Sequence, residues 1–434
     1  MSKSPEALGI PLPITGAIPI IRVETPPVSK PAPPLLWWVL MVAAGGILTA
    51  MTFPGQTAGL SPFTDPLLAT LDIDRTAISV SYLIATLTGA LTMPLLGRLM
   101  DRYGTKRAIV WIGVALTLVL VGASFMSEIV GLTFSYVGLR MTGQGALTLA
   151  ATTLIARTVT HRPGLALGIV GAIGSAGISL APVGVERLIA WTDIATVWRI
   201  EAGLVALIVI PIALALPRDV PQTTTDTGTH IVVVPESGYT LRQALRTGMF
   251  WVISGAGFMV GMLSTGLAFH LISILGQQGL TTIEAAANFI PQTVAALLGT
   301  LGLGAIVDRI DPRWGVAASM LTMAGALGML PFVGSGISGI IFGVLLGGSM
   351  GALRGVEAAA FVRYYGRGRI GSIRGVATAI GLASTALGPL YFALGLSLTG
   401  SYTGPSVLAA FFPLLVALAA IFIRPPAGID TLNT

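Results

Sequence analysis

The sequence predicts an all-α integral membrane protein in which twelve transmembrane helices form two pseudo-symmetric six-helix bundles. The first observation is composition: of the 434 residues, 54% are hydrophobic and 10% are charged, which is too apolar for a soluble protein of this size. The second is that twelve apolar runs are each long enough to cross a hydrocarbon core of about 30 Å. The third is a repeat that relates the two halves of the chain.

The predicted spans are the apolar runs between polar segments. They cover residues 36–59, 77–97, 108–126, 131–155, 165–189, 200–217, 249–273, 284–306, 314–333, 337–361, 373–398 and 405–423. Residues 1–34 contain nine prolines and predict a disordered cytoplasmic tail, because they offer too few large apolar side chains to order. Residues 218–247 predict a cytoplasmic linker and 425–434 a second tail. The two bundles are therefore expected at 35–217 and 248–424.

The distribution of lysine and arginine predicts the orientation. If the amino terminus is inside, nineteen cations lie in inner segments and three in outer ones, which is a positive-inside pattern. We therefore expect a multi-pass protein of the cell (plasma) membrane with both termini in the cytoplasm. The first run begins late and is a full span, so it predicts an uncleaved helix, not a secretory signal. The net charge of +6 follows this topology and does not indicate nucleic-acid binding.

Two segments of the first half recur in the second half. The basic turn Gly97–Arg107 reads GRLMDRYGTKR, and its Gly, Asp, Arg and cation recur 207 residues later between Gly304 and Arg313. The segment 145–157 aligns with 351–363 at a shift of 206. Two segments whose offsets agree to within one residue predict parallel repeats, an arrangement that places a substrate site between the halves near the middle of the membrane.

With these motifs, the chain resembles the major facilitator superfamily of transporters over residues 35–424. The basic turn is the most specific match, since it meets the family's signature at every fixed position. Arg140 with Gly143, Gln144 and Gly145 is a looser match. Short phrases such as Phe250-Trp251 are similar to the monocarboxylate and oxalate/formate branch.

The resemblance implies a conformational latch in the basic turns. Asp101 would meet the positive end of a helix in the other half, near Arg374. Breaking and re-forming this contact would bias the equilibrium between the inward-facing and outward-facing states. The alternative is a basic loop that serves orientation alone. The expected members of the latch are Gly97, Asp101, Arg102, Gly104, Lys106, Arg107, Asp308, Arg309 and Arg313.

Two arginines inside predicted spans are the leading candidates for substrate binding. Arg140 lies near mid-depth in span 4, and Arg354 lies in span 10 beside glycines that recur every four residues from Gly343 to Gly355. A charged residue at the centre of a span costs about 2.5–3.5 kcal/mol on insertion scales, so both indicate a function or a tight pair. Together they predict a clamp for a carboxylate, which guanidinium binds bidentately. The alternatives are an Arg354–Glu357 pair within the helix, and pairing of Arg140 with a backbone carbonyl or a distant acid.

Other polar residues in the spans are weaker candidates. Glu357 and His270 are candidates for carrying a coupling proton, whereas Glu357 could instead pair with Arg309 or Arg313, and His270 could be a hydrogen-bonded interfacial histidine. The remaining candidates could line the cavity or simply link helices; they are Gln56, Gln144, Asn288, Gln292 and Tyr391.

The sequence therefore predicts a secondary transporter of a small organic anion, such as a monocarboxylate, that works by alternating access with proton coupling or exchange of a second anion. Its expected partners are the solute, protons or a counter-anion, and the lipid bilayer; we expect a monomer. One alternative is an exporter of hydrophobic or drug-like compounds, although Ala181-Pro182-Val183-Gly184 stands where the exporter branch has its Gly-Pro signature. Another is a membrane sensor that binds without transport.

We expect no enzyme activity, cofactor or metal. The absence of cysteine excludes disulfides, thiolate metal sites and a cysteine nucleophile. The sequence shows no Ser/His/Asp set, no histidines at metal-ligand spacing and no phosphate loop with its lysine. The glycines of residues 366–371 match a dinucleotide-binding pattern, but they follow a predicted membrane helix where that pattern requires a strand.

Overall fold

The computed structural model describes residues 35–159, 161–217, 238–307, 309–366 and 370–426. The predicted amino-terminal tail, most of the predicted carboxy-terminal tail, most of the predicted linker and Asp308 lie outside these ranges. The exact boundaries of the two bundles stay a prediction. Within the described residues the chain is almost entirely helical, as the composition predicts.

The first group of helices contains predicted spans 1 to 6. It consists of α1 (Leu35–Ala50), α2 (Thr57–Leu60), α3 (Thr64–Leu71), α4 (Arg75–Tyr103), α5 (Thr105–Ala123), α6 (Ile129–Leu139), a π-helical segment (Arg140–Leu147), α7 (Thr148–Thr158), α8 (Pro163–Trp191) and α9 (Ile194–Ala215). Short 3₁₀ turns at Phe53–Gly55 and Ser61–Phe63 connect the first three helices.

The second group contains predicted spans 7 to 12. It consists of α10 (Leu241–Ala244), α11 (Gly248–Phe269), α12 (Leu271–Gln277), α13 (Thr282–Ala287), α14 (Phe289–Ile306), α15 (Pro312–Met329), α16 (Ile337–Tyr365), α17 (Ile370–Thr399) and α18 (Thr403–Phe422). A 3₁₀ turn at Leu330–Phe332 ends α15.

The helices confirm the predicted fold class. In the described part of the chain, eleven helices are long and apolar enough to cross a membrane. The predicted fourth span is helical from residue 129 to 158 but is divided by the π-helical segment, so no single piece of it reaches that length.

Each bundle has its own apolar interior. Two clusters of buried side chains are built from residues 42–216, and two others from residues 239–420. The one exception is Phe269 of α11, which is fully buried in the main cluster of the first bundle. The bundles are therefore in tight apolar contact where Phe269 crosses between them.

The glycines of α16 allow it to pack directly against α14. A Cβ atom at Gly347 would lie 1.9 Å from the carbonyl oxygen of Gln292, and one at Gly351 would lie 1.9 Å from that of Ala296. These distances leave no room for a side chain. The glycine repeat therefore serves helix contact within the second bundle, as small-residue stripes do in membranes.

We expect Gly351→Ala to lower the free energy of unfolding by about 1–3 kcal/mol, because overpacking forces the two helices apart. The measurement is the thermal unfolding temperature of the purified protein in detergent. The matched control is Gly348→Ala on the same helix, where an added Cβ meets nothing within 4 Å. Equal unfolding temperatures for the two variants would contradict the proposed close contact.

Candidate substrate site

Two irregular backbone segments meet in the interior of the first bundle. One is the 3₁₀ turn that follows α1, and the other is the π-helical segment of the fourth span. A Cβ atom at Gly55 would lie 2.2 Å from the carbonyl oxygen of Leu139, and one at Gly143 would lie 3.0 Å from the Cα of Gly55. Only glycine permits this approach. π-helical turns occur frequently at functional sites, and this one begins at Arg140.

Arg140 is buried without an acidic partner. Its side chain is 4% exposed, and its Nη1 donates to the carbonyl oxygen of Gly55 at 3.2 Å and to Thr57 Oγ1 at 3.4 Å. Its guanidinium lies 4.7 Å from the ring centre of Tyr82. Nε has no hydrogen-bond partner, and no carboxylate in the described ranges forms an ion pair with it. Neutral dipoles and an aromatic face thus stabilise the charge only in part, which is the electrostatic condition for binding an anion.

Arg140 lies on the wall of a cavity of about 320 Å³. The cavity is lined by Thr86, Gly89, Ala90, Met93, Arg140, Gln144, Gly145, Thr148, Leu149, Thr152 and Leu382. Because α4, the π-helical segment and α7 belong to one bundle and Leu382 belongs to the other, the cavity lies between the two bundles. The exposed Thr152 lies toward the end of the molecule that carries the basic turn, which we call the basic end.

At the opposite end, polar contacts hold the two bundles together. Asp65 accepts hydrogen bonds from Arg75 Nη2 at 2.5 Å and from the hydroxyl of Ser273 at 2.7 Å, while Arg75 Nη1 donates to the same hydroxyl at 2.8 Å. Thr64 donates to the carbonyl oxygen of Phe269 at 3.4 Å. We call this the closed end. The pairing of Asp65 with Ser273 was not predicted from the sequence, because the two residues lie 208 positions apart. The proximity of Asp65 to Arg75, an isolated arginine in an outer segment ten residues later, could have indicated an ion pair there.

His270 is a second link between the bundles at the closed end. It lies between α11 and α12, is 1% exposed, and its Nε2 is 3.0 Å from the carbonyl oxygen of Pro389 and 3.4 Å from the Ser79 hydroxyl. Because a carbonyl oxygen only accepts, Nε2 carries the hydrogen. The buried Nδ1 has no partner among the described residues, which fits a neutral imidazole in this conformation.

Of the other polar candidates, one lies on the cavity wall and four lie elsewhere in the described structure. Gln144 lines the cavity beside Arg140. The remaining four make hydrogen bonds outside the cavity lining: Gln56 donates to Thr52 Oγ1, Asn288 to the Gly339 carbonyl, Gln292 to Asn288 Oδ1 and Tyr391 to the Pro405 carbonyl. Asn288 and Tyr391 thereby join separate segments of the second bundle, whereas Gln56 and Gln292 bond to side chains four residues earlier in the chain.

Arg354 and Glu357 lie apart from Arg140. Arg354 is exposed, has no hydrogen bond or ion pair among the described residues, and is not part of the lining of the Arg140 cavity. Glu357 is half-buried, and the charge of Arg374 acts on it electrostatically. The expected two-arginine clamp is therefore not assembled in this conformation.

The described members of the basic turn reach carbonyl groups and aromatic rings. Gly104 adopts a positive φ of 84° between α4 and α5, and Lys106 Nζ donates to the carbonyls of Leu214 and Leu216 at 2.6 Å. A cation at the carboxyl end of α9 stabilises that helix end. Arg102 stacks on the adjacent Tyr103 ring, and Arg107 is exposed. The side chain of Asp101 lies outside the described part of the structure, and Gly97 lies within α4.

The second basic turn is engaged within its own bundle. Arg313 forms an ion pair with Asp311 at 3.5 Å, and its guanidinium stacks on Trp314. Asp311 also accepts from the hydroxyl of Tyr364, whereas Arg309 is exposed. The latch that the resemblance implies stays a prediction, because the side chains of its two acidic members, Asp101 and Asp308, lie outside the described part of the structure.

Comparison with known proteins identifies the family. The sequence model of the Major Facilitator Superfamily matches residues 42–389. The chain is 25% identical over 280 residues to the MFS-type transporter YhjX of Escherichia coli, covering 63% of this chain and 66% of that protein, just under two thirds of its length. It is 27% identical to a probable nitrate/nitrite transporter, NarK2, of Mycobacterium tuberculosis, covering 71% of this chain and 78% of the relative. It is also 27% identical to the 3-(3-hydroxy-phenyl)propionate transporter of Escherichia coli, covering 75% and 79%.

Solved structures agree on the fold. A bacterial homologue of the human lysosomal transporter Spinster superposes with a TM-score of 0.70 at 15% identity, covering 90% of this chain and 97% of that one. The nucleoside transporter NupG superposes with a TM-score of 0.70 at 14% identity, covering 88% and 99%. With the family match extending over most of the chain and the helices arranged as described, this protein is a membrane transporter that belongs to the major facilitator superfamily.

Proposed function

We propose that this protein transports a small organic anion with one carboxylate, by alternating access, and that the Arg140 cavity is its binding site. The observation that carries the proposal is the buried guanidinium of Arg140, which lies on the wall of a cavity between the bundles and has no carboxylate partner in the described ranges. A bound anion would supply the negative charge that the protein does not place beside Arg140. A carboxylate can accept two parallel hydrogen bonds from the planar guanidinium.

The cavity favours an organic anion over a small inorganic one. Its volume of about 320 Å³ holds several times the heavy atoms of nitrate, and Ala90, Met93, Leu149 and Leu382 form an apolar wall. Among the relatives, one is named for nitrate and nitrite and another for a phenylpropionate, all of which are anions. Gln144 and the threonine hydroxyls supply hydrogen bonds that orient the solute.

The conformation supports alternating access. The two bundles are held together at the closed end, while the cavity extends toward the basic end. If the basic end faces the cytoplasm of a plasma-membrane protein, as the positive-inside pattern predicts, this is an inward-facing state.

Transport into proteoliposomes tests the proposal. Purified protein is reconstituted and assayed with pyruvate, 3-phenylpropionate and nitrate, each with and without a pH gradient. We expect saturable uptake of at least one of the two carboxylates, and binding without uptake would indicate a sensor instead.

The apolar wall of the cavity is also compatible with one alternative, an exporter of hydrophobic compounds. That alternative predicts transport of a lipophilic cation such as tetraphenylphosphonium, and this transport would not depend on Arg140.

His270 is the proposed carrier of a coupling proton, with Glu357 as the second candidate. When the closed end opens, His270 loses its contact with Ser79 and gains access to water and protons. Glutamine can donate the same hydrogen bond to the Pro389 carbonyl but does not titrate near neutral pH. We therefore expect His270→Gln to abolish the stimulation of carboxylate uptake by a pH gradient while it preserves exchange of labelled for unlabelled carboxylate. The parallel variant Glu357→Gln tests the other candidate, and unchanged stimulation in both would favour anion exchange without protons.

A further inference from the structure

Tyr82 contacts both the candidate substrate site and the opposite bundle. Its side chain is fully buried on α4. On one side, the guanidinium of Arg140 lies 4.7 Å from the ring centre; on the other, the ring of Phe269 lies 4.6 Å away between centroids, tilted by 56°. A single ring therefore separates the only described cation on the cavity wall from the second bundle.

The hydroxyl of Tyr82 fixes the ring in this position. It lies 2.7 Å from Thr57 Oγ1, the same oxygen to which Arg140 Nη1 donates at 3.4 Å. Arg140, Thr57 and Tyr82 thus form a closed set of contacts. A displacement of the guanidinium is transmitted to the ring by both routes.

One face of α4 connects this set to the closed end. Arg75, Ser79 and Tyr82 follow the spacing of one helix face, and they contact Ser273, His270 and Phe269 of the second bundle in that order. Thr86, one turn further, lines the cavity. The face therefore runs without interruption from the polar contacts of the closed end to the site.

We propose that Tyr82 is a positioning residue that couples occupancy of the Arg140 site to the closed end. The inference rests on the proposed function. An anion bound to Arg140 neutralises the charge that the ring of Tyr82 stabilises, and this weakens the cation–π contact. The guanidinium moves toward the anion, Tyr82 is released from its present position, and its contact with Phe269 loosens. The closed end then opens more readily when the site is occupied than when it is empty.

The experiment uses the absence of cysteine from the whole chain. Spin labels at Thr70→Cys and Ile283→Cys, both exposed at the closed end and in different bundles, report the separation of the bundles by pulsed electron resonance. The distance distribution is recorded with and without pyruvate or 3-phenylpropionate, and the dissociation constant of each carboxylate is measured on the same protein. The variants are Tyr82→Leu, Tyr82→Phe and Phe269→Leu. Phe63→Leu is the matched control, since Phe63 is a buried aromatic that packs on Trp198 within the first bundle.

We expect the carboxylate to lengthen the distance in the unsubstituted protein and in Phe63→Leu, and to a smaller extent in Tyr82→Phe, which keeps the ring but loses its contact with Thr57. In Tyr82→Leu we expect that response to be lost and the dissociation constant to fall about three- to tenfold, because the anion no longer has to displace one cation–π contact. Phe269→Leu is expected to lose the response while its dissociation constant changes less than about threefold, because it does not touch Arg140. Loss of coupling without loss of binding is a result that simple core packing does not produce.

Two outcomes are separable. If the unsubstituted protein binds neither carboxylate, the proposed function is wrong and the inference fails with it. If it binds and responds, but Tyr82→Leu or Phe269→Leu responds equally, the coupling role of Tyr82 is overturned and the proposed function stands. Should Tyr82→Leu not fold, Phe269→Leu decides the question alone.

Discussion

Replacing Arg140 with glutamine is expected to lower the efficiency of carboxylate uptake, the maximal rate divided by the half-saturating concentration, by about two orders of magnitude. The reason is that loss of a buried, charge-assisted contact costs about 2–5 kcal/mol, and each 1.4 kcal/mol is a factor of ten. Glutamine retains a donor for the Gly55 carbonyl but supplies no charge. The measurement is initial uptake of pyruvate or 3-phenylpropionate into proteoliposomes across a range of concentrations. Arg140→Lys keeps the charge without the bidentate edge, so an intermediate loss is expected.

The control for this prediction is Arg242→Gln on α10, which removes an exposed arginine far along the chain from the cavity. It is expected to transport as the unsubstituted protein does. Elution as a single symmetric peak in size-exclusion chromatography shows that each variant is folded. Normal carboxylate uptake by Arg140→Gln would refute the assignment of the site, and the family membership would be unaffected.

Asp65→Ala is expected to shift the protein out of the closed-end conformation. The substitution removes the acceptor shared by Arg75 and Ser273. Both members of the ion pair are partly exposed, so we expect a loss of about 1.5 kcal/mol, or roughly a tenfold change in the ratio of the two states. The measurement is the rate at which a membrane-impermeant maleimide labels Ser79→Cys, since residue 79 is buried when this end is closed.

Two further variants define this result. Exchanging the charges in Asp65→Arg with Arg75→Asp restores an ion pair and is expected to recover slow labelling. Glu128→Ala is the control: it removes an acid, on the connection between α5 and α6, whose side chain makes no helix-capping hydrogen bond. In this variant, Ser79→Cys is expected to be labelled as slowly as in the parent protein. Equal labelling rates in Asp65→Ala and the parent protein would show that the other contacts, such as those of His270 and Phe269, are sufficient to hold the end closed.

The sequence predicted the fold class well because that prediction depends on composition and spacing. A chain with so few charges has to place its backbone in membrane helices, and two segments that recur at nearly the same offset indicate the duplication. The fourth span shows the limit of this reasoning. Its apolar run was predicted correctly, whereas the π-helical segment inside it depends on its packing against Gly55, more than 80 residues away in sequence.

The lining of the candidate cavity was predicted only in part, for a related reason. Arg140 and Gln144 were visible as polar residues within an apolar run, and the structure places both on the cavity wall. Arg354 was equally visible, but which face of α16 packs on α14 depends on the shape of both helices, and in the structure the glycines occupy that contact. Tyr82 gave no signal, because one tyrosine in an apolar helix is unremarkable until its neighbours are known.

By itself, the sequence determined that this protein is a duplicated bundle of membrane helices, because the cost of exposing polar groups to lipid is a property of each segment alone. Only the tertiary structure decided that Asp65 meets Ser273, that Phe269 enters the opposite bundle and that Tyr82 lies between it and Arg140. These contacts join residues far apart in the chain, and their energies exist only once the two bundles are packed together.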